Sequence, residues 1–147
     1  LFLILYWHNY FKMLKKKGVE SKLIYWIALL SIIFLGLYIT FLGESKVYSF
    51  FKKIGIYIYI IFIVLTQFFE SKLLIKNFNK FKKIFSKKFA LSKYYLASFM
   101  IIFGLILLPI LIIKIDNFPG IKNIISWNYF LLVQLYFFLV FLSLRSN

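Results

Sequence analysis

The sequence predicts an all-α membrane protein with about four transmembrane helices, arranged as two hairpins joined by a basic amphipathic helix at the membrane surface. Three observations predict it. The 147-residue chain is 63% hydrophobic with a mean hydropathy of +0.90, which excludes an ordinary soluble domain. Four runs of 16 to 21 residues carry no charged side chain, and 20 residues at 1.5 Å rise cover the ~30 Å of a bilayer's hydrocarbon core. The one long polar segment, Lys72 to Lys93, parts these runs into two pairs. The chain therefore divides into an N-terminal interfacial segment with a basic linker (1–22), a first hairpin (23–69), the basic helix (70–93) and a second hairpin (94–147).

Leu1 to Phe11 is apolar but too short to span. A secretory signal carries its positive charge before the apolar run, and here Lys12, Lys15, Lys16 and Lys17 follow it. The segment reads as interfacial or docked on protein. His8, the only histidine, stands beside Trp7 and reads as an interface residue.

Leu23 to Leu42 is the cleanest span, with Tyr25 and Trp26 at its start as an aromatic belt. Gly36, Thr40 and Gly43 share one face and offer a close-packing seam. Ile54 to Phe69 is the shortest at 16 residues, so it borrows Tyr48 to Phe51 while Lys52 and Lys53 extend outward. Its Ile56-Tyr57-Ile58-Tyr59-Ile60 alternation has the period of a strand, but an isolated strand in lipid leaves its backbone unpaired, so a helix is expected. Thr66 and Gln67 are expected at the far end, within reach of water.

From Lys72 to Lys93, Leu74, Phe78, Phe81, Phe85 and Phe89 fall on one side of a helix at about 100° per residue, and Lys72, Lys76, Lys80, Lys83 and Lys87 fall nearly opposite. Such a helix lies in the plane of the membrane with its lysines on anionic headgroups. Tyr94 to Ile113 is the third span, with Ala97 and Gly104 on one face and Pro109 bending its last turn. A turn at Asp116 to Gly120 leads into the fourth, Ile124 to Leu144, which carries Gln134 near its middle. A central amide in lipid needs a partner, and Gln134 is expected to bond to a neighbouring helix.

Charge sets the orientation. Fourteen basic residues belong to the N-terminal tail, the 72–93 segment and Arg145, against five in the two opposite loops. The positive-inside rule then places both termini and the basic helix on the cytoplasmic or matrix side. The net charge of +15 does not indicate nucleic acid, because the lysines flank apolar runs instead of coating a soluble fold.

A search for chemistry returns absences. No span holds an Asp, Glu, His, Lys or Arg in its interior, and the chain has no cysteine. The ligand pairs of haem, copper and iron-sulfur centres, the base of a hydrolase and a phosphate-binding loop are all missing. The expectation is a chain with no active site and no cofactor of its own, even if it belongs to an enzyme complex such as an oxidoreductase or ATP synthase.

Eighteen lysines against one arginine, with 20 Phe, 11 Tyr and only 6 Gly, match the bias of AT-rich codons, and a first residue of Leu fits a non-standard start codon or a trimmed end. This bias over the whole chain, with spans such as Ile56 to Val64, resembles the small membrane proteins encoded in protist mitochondrial genomes, ciliates above all. The resemblance is one of style and architecture and transfers no site residue. It implies a multi-pass protein of the mitochondrial inner membrane, both termini in the matrix, acting as a non-catalytic accessory subunit of a respiratory-chain complex. Its partners would be other membrane subunits and anionic lipid such as cardiolipin, held by Lys76, Lys80, Lys83 and Lys87. Two alternatives stand beside it. A diverged core subunit of NADH dehydrogenase, taking part in proton translocation, requires Glu44, Glu70 or Lys114 to be buried against a neighbour's titratable group. A small self-associating transporter or pore requires a lumen lined by Ser31, Thr66, Gln67, Ser98, Asn128 and Gln134.

Overall fold

The computed structural model describes residues 2–41, 46–82, 85–112 and 120–145, and among these all regular structure is helical. The order is α1 (Phe2–Lys16), α2 (Lys22–Thr40), α3 (Lys46–Lys76), α4 (Phe78–Phe81), α5 (Lys87–Ile112) and α6 (Ile121–Arg145). Three stretches are long and apolar enough to cross a membrane: Lys22–Thr40, Phe50–Lys76 and Lys87–Leu107. Within α6 the described apolar stretch is the shorter Trp127–Val140. Gly43, Glu44, Lys83, Lys114 and Asp116 to Pro119 lie outside the described residues. The chain divides into two compact units, Leu1–Phe69 and Glu70–Asn147.

In the first unit, α1 packs on α2 through Trp7, Tyr10, Phe11 and Leu14, a stripe repeating every three or four residues. The Phe11 ring meets Tyr25 of α2 edge-on at 5.4 Å. The N-terminal segment is thus a helix docked on its own chain, and it runs on through the first lysines to Lys16. Gly18 ends it. With φ at 65°, Gly18 donates to Lys15 O at 3.0 Å while Val19 donates to Leu14 O at 3.1 Å, the paired bonds of a left-handed helix stop. Both Leu14 and Val19 are buried beneath this turn.

The close approach of α2 and α3 falls at Gly55. A Cβ there would lie 2.8 Å from Tyr38 N and 3.0 Å from Phe34 O, so backbone meets backbone across a missing side chain. Phe34 and Phe62 continue the contact on one side at 6.1 Å, and Phe41 stacks on Phe51 at 5.1 Å. The Ile56 to Ile60 alternation lies inside α3 as helix.

In the second unit, the segment 72–93 is not the continuous amphipathic helix that its periodicity predicts. Its first residues complete α3, which Asn77 closes by donating from both its backbone N and its side-chain Nδ2 to Leu73 O, at 3.0 and 3.1 Å. One four-residue turn follows as α4, and Ser86 then caps α5 by accepting from Phe89 N at 3.3 Å. Asn and Ser side chains compete with the helical backbone for its hydrogen bonds, which explains why the break falls at these two residues. The apolar face that would have lain on lipid is folded inward instead. Leu74 and Phe81 are fully buried and Phe85 almost so, while Lys72, Lys76, Lys80, Lys82, Lys87 and Lys88 stay exposed.

Helix α5 packs along α6. Their seam holds Ala97 and Met100 from α5 and Tyr129, Val133, Tyr136 and Val140 from α6. Gly104 lies against the Tyr129 ring, whose hydroxyl donates to Met100 O.

Candidate functional site

One face of α3 is polar and fully buried. Ile63, Thr66, Gln67, Glu70, Ser71 and Leu74 recur at helical spacing, and each is 0% exposed. Thr66 turns its hydroxyl back to Phe62 O at 2.8 Å, a local bond open to a hydroxyl in any helix. Thr66 and Gln67, expected within reach of water near the end of an apolar run, are instead fully buried, and α3 continues past them to Lys76.

Glu70 and Ser71, which open the second unit, anchor its polar core. Lys93 Nζ lies 2.6 Å from Glu70 Oε1, and both side chains are completely buried. Tyr136 donates its hydroxyl to the other carboxylate oxygen, Oε2. Ser71 Oγ lies 2.7 Å from the Tyr136 hydroxyl, and with the phenolic proton directed at Glu70 the serine is the donor. The ammonium also sits over two aromatic faces, 5.1 Å from the Tyr136 ring centre and 5.8 Å from that of Phe85. Each oxygen of one carboxylate is thus held by a different helix, α5 through Lys93 and α6 through Tyr136.

Local structure places each member. Ser86 starts α5 so that Lys93 falls in its second turn, and the 133, 136, 140 spacing turns Tyr136 inward between Val133 and Val140. A buried charge is strongly disfavoured unless paired and hydrogen-bonded, and here ammonium and carboxylate supply each other's partner. The cluster is closed to solvent, so it can hold helices or exchange a proton, but it offers no route for a substrate. Among the described residues there is no group of three or more His, Cys, Asp or Glu side chains placed to hold a metal.

Of the residues singled out for lipid, Lys76 ends α3, Lys80 belongs to α4 and Lys87 starts α5; all three are exposed. Lys93, counted among the outward basic residues by its position, is buried instead because its ammonium is held by Glu70. Of the packing residues, Ala97 is fully buried, Gly104 meets Tyr129, and Gln134 is exposed on α6. Gly36 has no atom within 4 Å of a Cβ position, and Thr40, also exposed, donates to Gly36 O at 2.9 Å. His8 is exposed on α1.

Sequence reasoning brought Glu70 forward as a border carboxylate but missed Lys93, Ser71 and Tyr136. The available signal was the placement of one acid and one base at the facing ends of two apolar runs. A second feature is an apolar groove of about 500 Å³ between α5 and α6, bounded by Phe99, Phe103, Ile124, Leu131 and Leu135 with Asn128 at one side. Comparisons with protein-family models, curated proteins and solved structures return no match to this chain.

Proposed function

We propose that the chain is a non-catalytic structural subunit of a mitochondrial inner-membrane respiratory complex, with α6 as a fourth span and both termini in the matrix. The observation that carries this reading is how the chain uses its buried charge. Glu70 and Lys93 neutralise each other inside the unit, where they fasten three helices and face no opening. The outward surface is hydrocarbon and aromatic: Phe99, Ile102 and Leu105 on α5 and Leu131 and Phe138 on α6 are all more than half exposed. Such faces suit lipid and neighbouring membrane subunits. Lys76, Lys80, Lys83 and Lys87 would meet anionic headgroups, with cardiolipin the expected lipid, each lysine worth ~1 kcal/mol near a charged surface. The test is a native gel of mildly solubilised membranes with mass spectrometry of the band that holds the chain. Co-migration with oxidase, NADH dehydrogenase or ATP synthase subunits is expected. A small homo-oligomer without such partners would overturn the reading in favour of a transporter or pore.

The burial of Glu70 favours a second reading, participation in proton translocation, because an ionisable group enclosed within a stretch apolar enough to cross a membrane is a functional candidate by default. Its titratable neighbour is then the chain's own Lys93. Glu70→Gln in the assembled complex decides it. Lost proton pumping with assembly and electron transfer intact would support this reading, and unchanged pumping would remove it.

A further inference from the structure

We infer that the Glu70–Lys93 pair, with Tyr136, fixes the rotational register of α5 and α6 against the end of α3, and that it contributes specificity of packing more than stability. Helices α5 and α6 are apolar on nearly every side. The residues they expose, among them Phe99, Leu105, Leu131 and Phe138, are of the same kind as Met100, Val133 and Val140, which they bury. In lipid, moving hydrocarbon from acyl chains to a helix interface gains little, so apolar packing alone discriminates weakly between one face and the next.

The polar cluster discriminates strongly. Lys93 is the one charged residue of α5 beyond its first two positions, and the carboxylate it meets at 2.6 Å is bonded on its other oxygen by Tyr136 of α6. Turning α6 by one residue, ~100°, carries the phenol off Glu70. Turning α5 likewise leaves an ammonium and a carboxylate buried apart. A turned α5 thus meets the cost of two unpaired buried charges, and a turned α6 deprives the carboxylate of its second hydrogen bond, so each helix is held to the observed register. A buried polar contact that selects one arrangement at little net gain in stability has this form.

The chain has no cysteine, so introduced cysteines carry spin labels at unique sites. Lys72→Cys on the exposed side of α3 pairs with Tyr95→Cys on α5 in one sample and with Phe138→Cys on α6 in another; all three positions are exposed. The full chain in lipid nanodiscs is expected to give a single narrow distance for each pair. Lys93→Met alone strands a buried carboxylate and risks unfolding, so the deciding variant removes the whole cluster: Glu70→Met, Lys93→Met and Tyr136→Phe together. Retained helicity with distances spread over several populations is the expected result. Narrow distances at the parent values would overturn the inference, because apolar packing alone would then hold the register. Loss of helicity or of membrane insertion would also overturn it, because the cluster would then supply stability.

Discussion

At the scale of single residues, Glu70 is the group on which most depends, since it takes Lys93 on one oxygen and Tyr136 on the other. Removing one side of a buried pair leaves the other charge without compensation, at a cost of about 3–5 kcal/mol. Lys93→Met is expected to destabilise the chain by that order in equilibrium unfolding from mixed micelles. Tyr136→Phe keeps the ion pair and loses one interhelical hydrogen bond, so its expected cost is smaller, about 0.6–1.7 kcal/mol. If the two variants unfold alike, breaking the ion pair costs no more than losing the phenol's hydrogen bond, and the central place given to Glu70 and Lys93 is refuted. The same logic shows why Ser71 matters less: its hydroxyl has an alternative acceptor in the preceding turn of its own helix.

At the scale of elements, helix ends and close approaches decide where the chain turns and which faces meet. Gly18 sits at φ 65° in the turn that ends α1, a conformation that costs an L-residue about 1 kcal/mol or more, so Gly18→Ala is expected to lower the melting temperature. Ser86→Ala removes the α5 cap, with an expected loss of ~1 kcal/mol. The sharpest contrast lies between two glycines. Gly55→Leu places a side chain where Tyr38 N and Phe34 O already lie within 2.8 and 3.0 Å, so α2 and α3 must separate. Gly36→Ala meets no atom within 4 Å and is expected to be neutral or to stabilise by up to ~1 kcal/mol through helix propensity. Thermal unfolding of both in one detergent checks the pair, and a larger loss at Gly36 would refute the packing described for α2 and α3. Helix α3 itself, at 31 residues, measures about 46 Å, longer than a hydrocarbon core. That excess length explains how Glu70 can be enclosed by protein near one end of a span.

At the scale of the whole molecule, the distribution of lysines predicts sidedness and lipid contact. Single cysteines at Lys76, Lys80 and Lys87, in a chain with no cysteine of its own, are expected to react with an impermeant thiol reagent from the matrix or cytoplasmic side only. Labelling from the opposite side would reverse the topology. Replacing Lys76, Lys80, Lys83 and Lys87 by Gln is expected to reduce the anionic phospholipid that co-purifies with the chain, and to leave neutral phospholipid unchanged. Equal retention of both lipids would assign these lysines to water or to carboxylates of a partner.

Helical class and apolar spans were legible in the sequence by itself, because in lipid a backbone must bond within its own segment and a long uncharged run has one way to do so. Three such stretches stand in the structure: those of 19 and 21 residues are close in length to the runs read from hydropathy, whereas the second, read as the shortest at 16 residues, extends over 27. The 72–93 segment was not legible in the same way. Its 3.6-residue period describes which residues share a face if a helix forms, and it takes no account of Asn77 and Ser86 bonding back to the chain or of a core that accepts Leu74, Phe81 and Phe85. The close-packing seam was read at Gly36, Thr40 and Gly43, whereas the backbone approach falls at Gly55, since Gly36 and Gly55 look alike until a neighbouring backbone stands against one of them. Lys93 shows the division most clearly. Its position at the end of an apolar run assigns it to the membrane border, but only the tertiary structure brings Glu70 from 23 residues upstream and Tyr136 from another helix to enclose it. Hydropathy is a sum over neighbours in the chain, whereas the pairing of a buried charge depends on neighbours in space.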